Sequence, residues 1–234
     1  MSLSFPTVAA IETSTELASV ALLCGDQLLT RESSGAQTHS MTVLALLQEL
    51  LRELGITLGQ CDALAFGSGP GSFTGVRTAC GLAQGLAFGA NLPVVPVVTL
   101  LALADAARAQ GAGEDVIAVL DARMGEVYWA QYRFDQQWQI VSEPRLAAPE
   151  QVISEDASCV VGNGLAAYAD RFTGLQSVRR LPELMPHASH IALLGRQFAQ
   201  QGQGVHAREA QPLYLRNKVA LTTAERTAAR GAGA

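Results

Sequence analysis

The sequence carries little charge for its length. Only 16% of its 234 residues are charged, whereas 49% are hydrophobic. Sixteen basic residues are spread along the chain against twenty-one acidic ones, and the formal charge is −5. A chain without a basic stripe does not bind nucleic acid tightly by itself, so we expect any contact with RNA to be indirect. The composition is typical of a globular protein with a large interior or interface.

Paired cysteines and export signals are also missing from the sequence. Cys24, Cys61, Cys80 and Cys159 are well separated and form no C-x-x-C pair. This spacing argues against a zinc site and against a disulfide framework, and favours buried thiols in a reducing compartment. The first fifteen residues lack the charged and apolar regions of a signal peptide, so we expect a cytoplasmic protein.

The longest stretch without charge runs from residue 78 to residue 104. It is long enough to span a bilayer, but Gln84, Asn91, Pro93 and Pro96 interrupt it. We interpret the stretch as a buried helix, a turn and a buried strand. No membrane partner is expected.

Hydrophobic periodicity predicts a mixed α/β fold in two lobes. In the first half we predict strands at 7–14, 17–24, 27–34, 63–69 and 94–98 and helices at 37–54, 75–89 and 100–110. In the second half we predict a hairpin of 115–123 and 126–134, a strand at 159–163 and helices at 149–153, 165–172 and 188–200. A small polar linker at 110–114 divides the chain. We therefore expect a first lobe at 1–110, a second at 111–217 and a frayed tail at 218–234.

The first predicted helix has an unusually wide apolar face. On a helical wheel its leucines and Val43 cover an arc of roughly 160°, wider than the stripe of about 100° that a surface helix needs. One edge of such an arc can serve the core of the chain while the other contacts a second chain.

The segment FGSGPGSFTGVRTACGLAQGLAFG at 66–89 allows two interpretations. It is not a P-loop, because Val76 and Arg77 stand where a lysine and a hydroxyl are required. Ser72 and Thr74 at the helix start could still receive an anion on backbone amides. Alternatively, the glycines only make a tight turn that Ser72 caps.

Within the helix that follows, Gly81, Gly85 and Gly89 recur every four residues. Each mid-helix glycine costs about 0.5–1 kcal/mol relative to alanine, so we expect close packing against a neighbour to offset that cost.

Few residues in the chain point to catalysis. No serine lies in a G-x-S-x-G motif. His187 and His190 are spaced for one helical face but have no companion ligand nearby, which favours a polar first turn over a metal site. Asp121, at the end of an apolar strand, is the one carboxylate placed as a catalytic or binding group usually is.

Several segments together resemble a known family. They are AIETST, THSMTVLALLQELL, GPGSFTGVR, VVPVVTLLALA and LDARMGEVYWA. Up to about Asn217 the chain resembles the TsaB (YeaZ) family, for which GPGSFTGVR and the LDAR-x-GEVY pattern are specific. The resemblance implies the actin-like ATPase fold (ASKHA, ribonuclease H-like), with a mixed sheet flanked by helices in each lobe. Such proteins act with a TsaD-like paralogue and a TsaE-like ATPase in making N6-threonylcarbamoyladenosine beside the anticodon of tRNA.

The resemblance also implies a subunit without catalysis of its own. TsaD-like relatives carry a pair of metal-binding histidines, and the equivalent positions here are Thr99 and Leu103. The first-strand acid of many actin-like ATPases is Glu12, one methylene longer than aspartate. We therefore expect no metal and no catalytic residue, and at most weak ATP or ADP binding, or binding only within the complex. The loop expected to be the remnant of a nucleotide or anion site consists of Thr13, Ser14, Gly69, Gly71, Ser72 and Thr74.

In TsaB-like proteins the first two helices form the surface for self-association or for TsaD. This implies a homodimer or a heterodimer with a TsaD-like paralogue. The interface residues expected here are His39, Val43, Leu44, Leu47, Leu51, Val76, Arg77, Cys80, Gly81 and Gly85. Three alternatives remain open: an ATPase that uses Gly69–Thr74, a metallopeptidase, and a small-molecule kinase with Asp121 as its catalytic acid.

Overall fold

The computed structural model describes residues 5–34, 39–154, 156–175 and 178–216, which form two five-stranded mixed sheets. The first sheet, in the order β3-β2-β1-β4-β5, contains β1 (Val8–Glu12), β2 (Leu17–Cys24), β3 (Gln27–Ser34), β4 (Ala63–Gly69) and β5 (Val94–Val98). The second, in the order β10-β9-β6-β7-β8, contains β6 (Asp115–Asp121), β7 (Val127–Asp135), β8 (Gln137–Ala147), β9 (Cys159–Val161) and β10 (Arg179–Leu181). The helices are α1 (His39–Leu54), α2 (Phe73–Ala90), α3 (Thr99–Ala109), α4 (Gly164–Ala167) and α5 (Ala188–Gln200). The mixed α/β architecture in two lobes is confirmed.

The first sheet is covered on both faces. β1 is fully buried, pairing antiparallel with β2 and parallel with β4. Because side chains alternate along a strand, Ala9 and Ile11 pack in a cluster with α1 and α2, whereas Val8 and Ala10 pack in a second cluster with α3 and α5. A strand buried on both faces explains why residues 8–11 are apolar without interruption.

The second cluster joins the two lobes. It contains side chains of α3, such as Leu100 and Leu103, together with Val116 and Ala118 of β6 in the other sheet. The charge-free stretch at 78–104 thus becomes most of α2, the buried β5 and the start of α3. No helix within the described ranges is long and apolar enough to cross a bilayer.

Two parts of the second lobe differ from the expectation. No element was expected at 135–148, but β8 runs there as an edge strand. Proline argues against a strand in the interior of a sheet, because it cannot donate a backbone hydrogen bond. An edge strand tolerates Pro144, but the sequence pattern does not show that this segment lies at an edge. The helix expected at 165–172 is broken into α4 and a 3-10 turn at Ala169–Arg171.

The end of the described chain returns to the first lobe. Helix α5 packs against β1, β2 and β4, where Gly195 lies so close to Ala65 that a Cβ would be 2.5 Å from the alanine methyl. Further on, Val205 pairs with Val94 of β5. The strands of the first sheet all precede residue 110 and those of the second sheet all follow it, whereas α5 and Val205 pack with the first sheet. The tail expected at 218–234 lies outside the described residues.

The glycines around α2 fall into two groups. A Cβ at Gly75 would collide with the carbonyl oxygen of Thr13, and one at Gly71 would lie 2.6 Å from the Ser14 Cβ. By contrast, a Cβ at Gly81, Gly85 or Gly89 would meet nothing within 4 Å among the described residues. The close packing expected for these three glycines is therefore not made by the described part of the chain, where they lie on an open helix face.

This difference predicts opposite effects of two alanine substitutions in one helix. Gly75→Ala should lower the free energy of unfolding by about 1–3 kcal/mol, because the new methyl must push the Thr13 carbonyl aside. Gly81→Ala should raise it by about 0.5–1 kcal/mol through helix propensity. Urea unfolding followed by circular dichroism measures both. Equal effects of the two substitutions would contradict the assigned packing.

Candidate functional site

A cleft opens between the two lobes beside the start of α2. Its volume is about 450 Å³. Ser14, Gly71 and Ser72 of the expected anion loop line it. From the second lobe come Asp121, Arg123 and Asn163, and from the end of the described chain Tyr214 and Arg216. The structure thus brings half of the expected loop residues to the cleft, whereas Thr13, Gly69 and Thr74 are not part of its lining.

The loop is held by contacts to the turn after β1. The Thr13 hydroxyl donates to the carbonyl of Gly75 at 2.7 Å, and the amide of Ser72 donates to the carbonyl of Ser14 at 2.7 Å. The amide of Gly69 donates to the Thr99 hydroxyl at 3.1 Å. The amides of Ser72 and Gly69, which a phosphate loop would offer to its ligand, are therefore already used within the chain.

Some capacity for an anion remains at this end of the cleft. Ser72 caps α2, its hydroxyl accepting from the amide of Gly75 at 3.4 Å, and the first amides of a helix have no acceptor within it. The Ser14 hydroxyl is buried and forms no hydrogen bond of ordinary geometry among the described residues. A buried hydroxyl without a partner is unfavourable unless a ligand or water satisfies it.

Glu12 does not face the cleft. It is fully buried, and its carboxylate accepts from the Ser14 amide at 2.5 Å and from the Thr99 hydroxyl at 3.2 Å. A Cβ at Gly67 would overlap this carboxylate. Burial raises the pKa of Glu12 above its ordinary value, only partly opposed by these hydrogen bonds. The carboxyl group therefore ties the end of β1 to the start of α3 and is not exposed to a ligand.

The two positions that correspond to metal-binding histidines have structural contacts. Thr99 is fully buried between Glu12 and Gly69, and Leu103 is a core residue that lies against Gly162. The two histidines at the start of α5 also have structural contacts. The Nδ1 atom of His190 lies 2.7 Å from the Asp105 carboxylate. The ring of His187 caps α5 by accepting from the Ser189 amide. Both contacts agree with the polar first turn expected from their spacing.

Asp121 lies at the mouth of the cleft, but its carboxylate is already engaged. One oxygen accepts from the Arg123 amide at 2.7 Å and from the Tyr168 hydroxyl at 3.0 Å. The other lies 3.0 Å from the Arg123 guanidinium. Burial and the neighbouring Asp121 raise the pKa of Tyr168, which stays a hydrogen-bond donor. The arrangement holds the turn between β6 and β7.

The C-terminal segment contributes residues that the sequence analysis did not single out. Arg216 pairs with Glu126 at 2.7 Å and donates to the carbonyl of Ala122 at 3.0 Å. Asn163 accepts from the Asp121 amide. No local pattern signals these contacts, because each joins residues more than forty positions apart.

The expected interface residues divide into two sets. Val43, Leu47, Val76 and Cys80 have 4% exposure or less. The first, second and fourth pack in the core of the first lobe, and Val76 lines the cleft. These four side chains are therefore not available to a partner, because the sheet takes the centre of each apolar face. Surface remains at the other expected positions, Leu44, Leu51, Arg77, Gly81 and Gly85, while the side chain of His39 lies outside the described residues.

An aromatic cluster borders this surface. The guanidinium of Arg77 lies 3.5 Å from the ring centroid of Phe73 and donates to the Tyr214 hydroxyl at 2.7 Å. Further along α2, the side chain of Phe88 is 75% exposed. The outer face of α2 thus combines open glycines with aromatic side chains, and one of these aromatic groups is tied to the C-terminal segment.

The comparisons with known proteins agree with this architecture. Residues 33–221 match the family model of TsaD, tRNA N6-adenosine threonylcarbamoyltransferase. The chain is 40% identical over 225 residues to the tRNA threonylcarbamoyladenosine biosynthesis protein TsaB of Haemophilus influenzae, covering 91% of this chain and 94% of that one. It is 37% identical over 221 residues to TsaB of Escherichia coli, covering 91% and 96%. The solved structure of YeaZ from Pseudomonas aeruginosa superposes with a TM-score of 0.84 at 38% identity, covering 90% of this chain and all of that one.

The two mixed sheets flanked by helices define a two-lobed α/β protein with a cleft between the lobes, and its fold is that of YeaZ. Within that class, the chain belongs to the TsaB (YeaZ) family of tRNA threonylcarbamoyladenosine biosynthesis proteins.

The burial of Glu12 predicts a pH-dependent effect of Glu12→Gln. Because the pKa of Glu12 is raised in the folded chain, the folded state binds more protons than the unfolded state once the pH exceeds about 4.5. The free energy of unfolding of the parent chain should therefore fall relative to that of Glu12→Gln as the pH rises, by at most about 1.4 kcal/mol per pH unit.

Urea unfolding between pH 4 and pH 8 measures this difference. Glu16→Gln, which removes an exposed carboxylate from the same turn, serves as the control for net charge. A parent chain that gains stability relative to Glu12→Gln as the pH rises would show instead that Glu12 is stabilised as a carboxylate.

Proposed function

We propose that this chain is a non-catalytic subunit that binds a TsaD-like paralogue and supports transfer of a threonylcarbamoyl group to adenosine in tRNA. The observation that carries the proposal is the outer face of α2, where Gly81, Gly85 and Gly89 leave the helix backbone uncovered. Exposed mid-helix glycines lower stability, and no described residue makes a compensating contact with them. A second helix that packs closely against this face would supply that contact.

The chemistry of the face favours a protein partner. Over its whole length α2 carries one charged residue, Arg77, and no acid. Phe88 adds an exposed aromatic ring, the type of side chain that is enriched at protein interfaces. Leu44 and Leu51 lie half-buried on the adjacent α1 and extend the apolar surface. The same face could serve a homodimer in the absence of the paralogue.

The polar groups in the cleft and in the core behind it support a role without catalysis. Glu12 and Thr99 are bonded to one another, and Asp121 is held by Arg123 and Tyr168. None of these groups is free to activate a nucleophile. In the proposed complex the TsaD-like subunit performs the transfer and a TsaE-like ATPase uses ATP. With a formal charge of −5 this chain contacts tRNA only through its partners, and the expected compartment is the cytoplasm.

Gly85→Leu should abolish binding to a TsaD-like paralogue while the chain stays folded. The added side chain begins where no described residue lies within 4 Å, and it stands between the helix and its partner. Co-purification and size-exclusion chromatography with the paralogue measure binding, and circular dichroism checks the fold. Ala166→Leu, which enlarges an exposed helical residue in the second lobe, is the matched control. Binding of Gly85→Leu at the level of Ala166→Leu would refute the proposed interface.

A second candidate function, nucleotide binding in the cleft, is favoured by the buried Ser14 hydroxyl beside the start of α2, which has no hydrogen bond of ordinary geometry among the described residues. It predicts saturable heat when ATP with magnesium is titrated into the purified chain in a calorimeter. The heat should decrease in Ser14→Ala, which removes the hydroxyl and keeps the turn. If the parent chain gives no heat, or if Ser14→Ala gives the same heat as the parent, this candidate fails while the partner interface stands.

A further inference from the structure

A second pocket lies on the side of the molecule where the described chain ends. Its volume is about 510 Å³. Both lobes line it: Leu101 of α3 and Phe198 of α5 come from one side, and Tyr132 and Trp138 of the β7–β8 hairpin from the other. Leu213 and Leu215, close to the last described residue, complete its wall. The pocket is thus an apolar junction between the lobes.

One polar group in this wall has no partner. Tyr132 is 1% exposed, and its hydroxyl forms no hydrogen bond among the described residues. Burial raises the pKa of Tyr132, so the hydroxyl keeps its proton and needs an acceptor. Glu143 adds an exposed carboxylate at the rim. An occupant that fits would therefore offer apolar side chains, a carbonyl oxygen and a cation.

Residues 217–234 follow directly on this wall in sequence, and their composition offers these three features. Its large apolar residues are Val219 and Leu221, which share one face of an extended segment, and every peptide group supplies a carbonyl. Lys218, the single lysine of the whole sequence, precedes them. Three residues of extended chain span about 10 Å, so Lys218 can reach the rim from Leu215.

We propose that residues 218–221 dock in this pocket. In the docked arrangement Val219 and Leu221 cover Trp138 and Phe198, a backbone carbonyl accepts from the Tyr132 hydroxyl, and Lys218 pairs with Glu143. The segment then fastens the β7–β8 hairpin of the second lobe to α3 and α5 and holds the two lobes in one relative orientation.

The single lysine permits a direct test by carbodiimide cross-linking of the full chain. The proposal predicts an amide bond between Lys218 and Glu143, identified by mass spectrometry of the digested protein. The bond should be lost in Glu143→Gln and in Leu221→Asp, and kept in Thr223→Asp, which adds the same charge outside the apolar pair. Failure of Lys218 to couple to Glu143, or equal coupling in Leu221→Asp and Thr223→Asp, overturns the proposal.

Two further measurements report on the pocket itself. Acrylamide should quench Trp138 fluorescence more strongly in Leu221→Asp than in Thr223→Asp, with Trp138→Phe used to subtract the signal of Trp129. In the parent chain Tyr132→Phe should lower the midpoint of thermal unfolding, because the docked segment accepts a hydrogen bond from the hydroxyl. In Leu221→Asp, where the segment is not docked, the same substitution should leave the midpoint unchanged. Equal quenching in the two aspartate variants would mean that the pocket is open to a free apolar ligand, and would overturn docking.

Discussion

The arrangement of the first lobe depends on how closely the turn after β1 lies against the loop that starts α2. The Thr13 carbonyl occupies the space where any side chain at position 75 would begin, and the Ser14 Cβ does the same at position 71. Hydrogen bonds from the Thr13 hydroxyl and the Ser72 amide then fix the two segments together. This contact brings the start of α2 to the edge of the cleft and directs its outer face away from the sheet.

The same contact explains why the glycine-rich stretch could not be interpreted from the sequence alone. A phosphate and a neighbouring backbone both require glycine, because each approaches the chain more closely than a Cβ allows. Only the tertiary structure shows that Gly71 and Gly75 face the β1 turn while Gly81 and Gly85 face no residue of the described chain. The two groups of glycines are adjacent in sequence, but only the first is required by a close contact with the turn after β1.

Local periodicity predicted much of the fold, since strands β1 to β7 and helix α5 follow their apolar patterns closely. It could not predict which edge of a wide apolar face meets the sheet, and so Val43 and Leu47 were assigned to a partner although they lie in the core. The position of α5 on the first sheet and the contacts of Arg216 depend on long-range packing. For the candidate site, Ser14, Ser72 and Asp121 could be named from the sequence, but the segment that closes the cleft could not.

That C-terminal segment connects the functional surfaces of the molecule. Tyr214 accepts a hydrogen bond from Arg77 on the proposed partner face. Arg216 holds the turn at the mouth of the cleft. Leu213 and Leu215 line both the cleft and the apolar pocket. A partner that covers Arg77 therefore also covers Tyr214 and restricts the segment beneath it. Because the segment touches both lobes, a partner bound to the first lobe alone can limit how far the lobes separate. A subunit that supports catalysis elsewhere can thus act through the shape in which its own lobes are held.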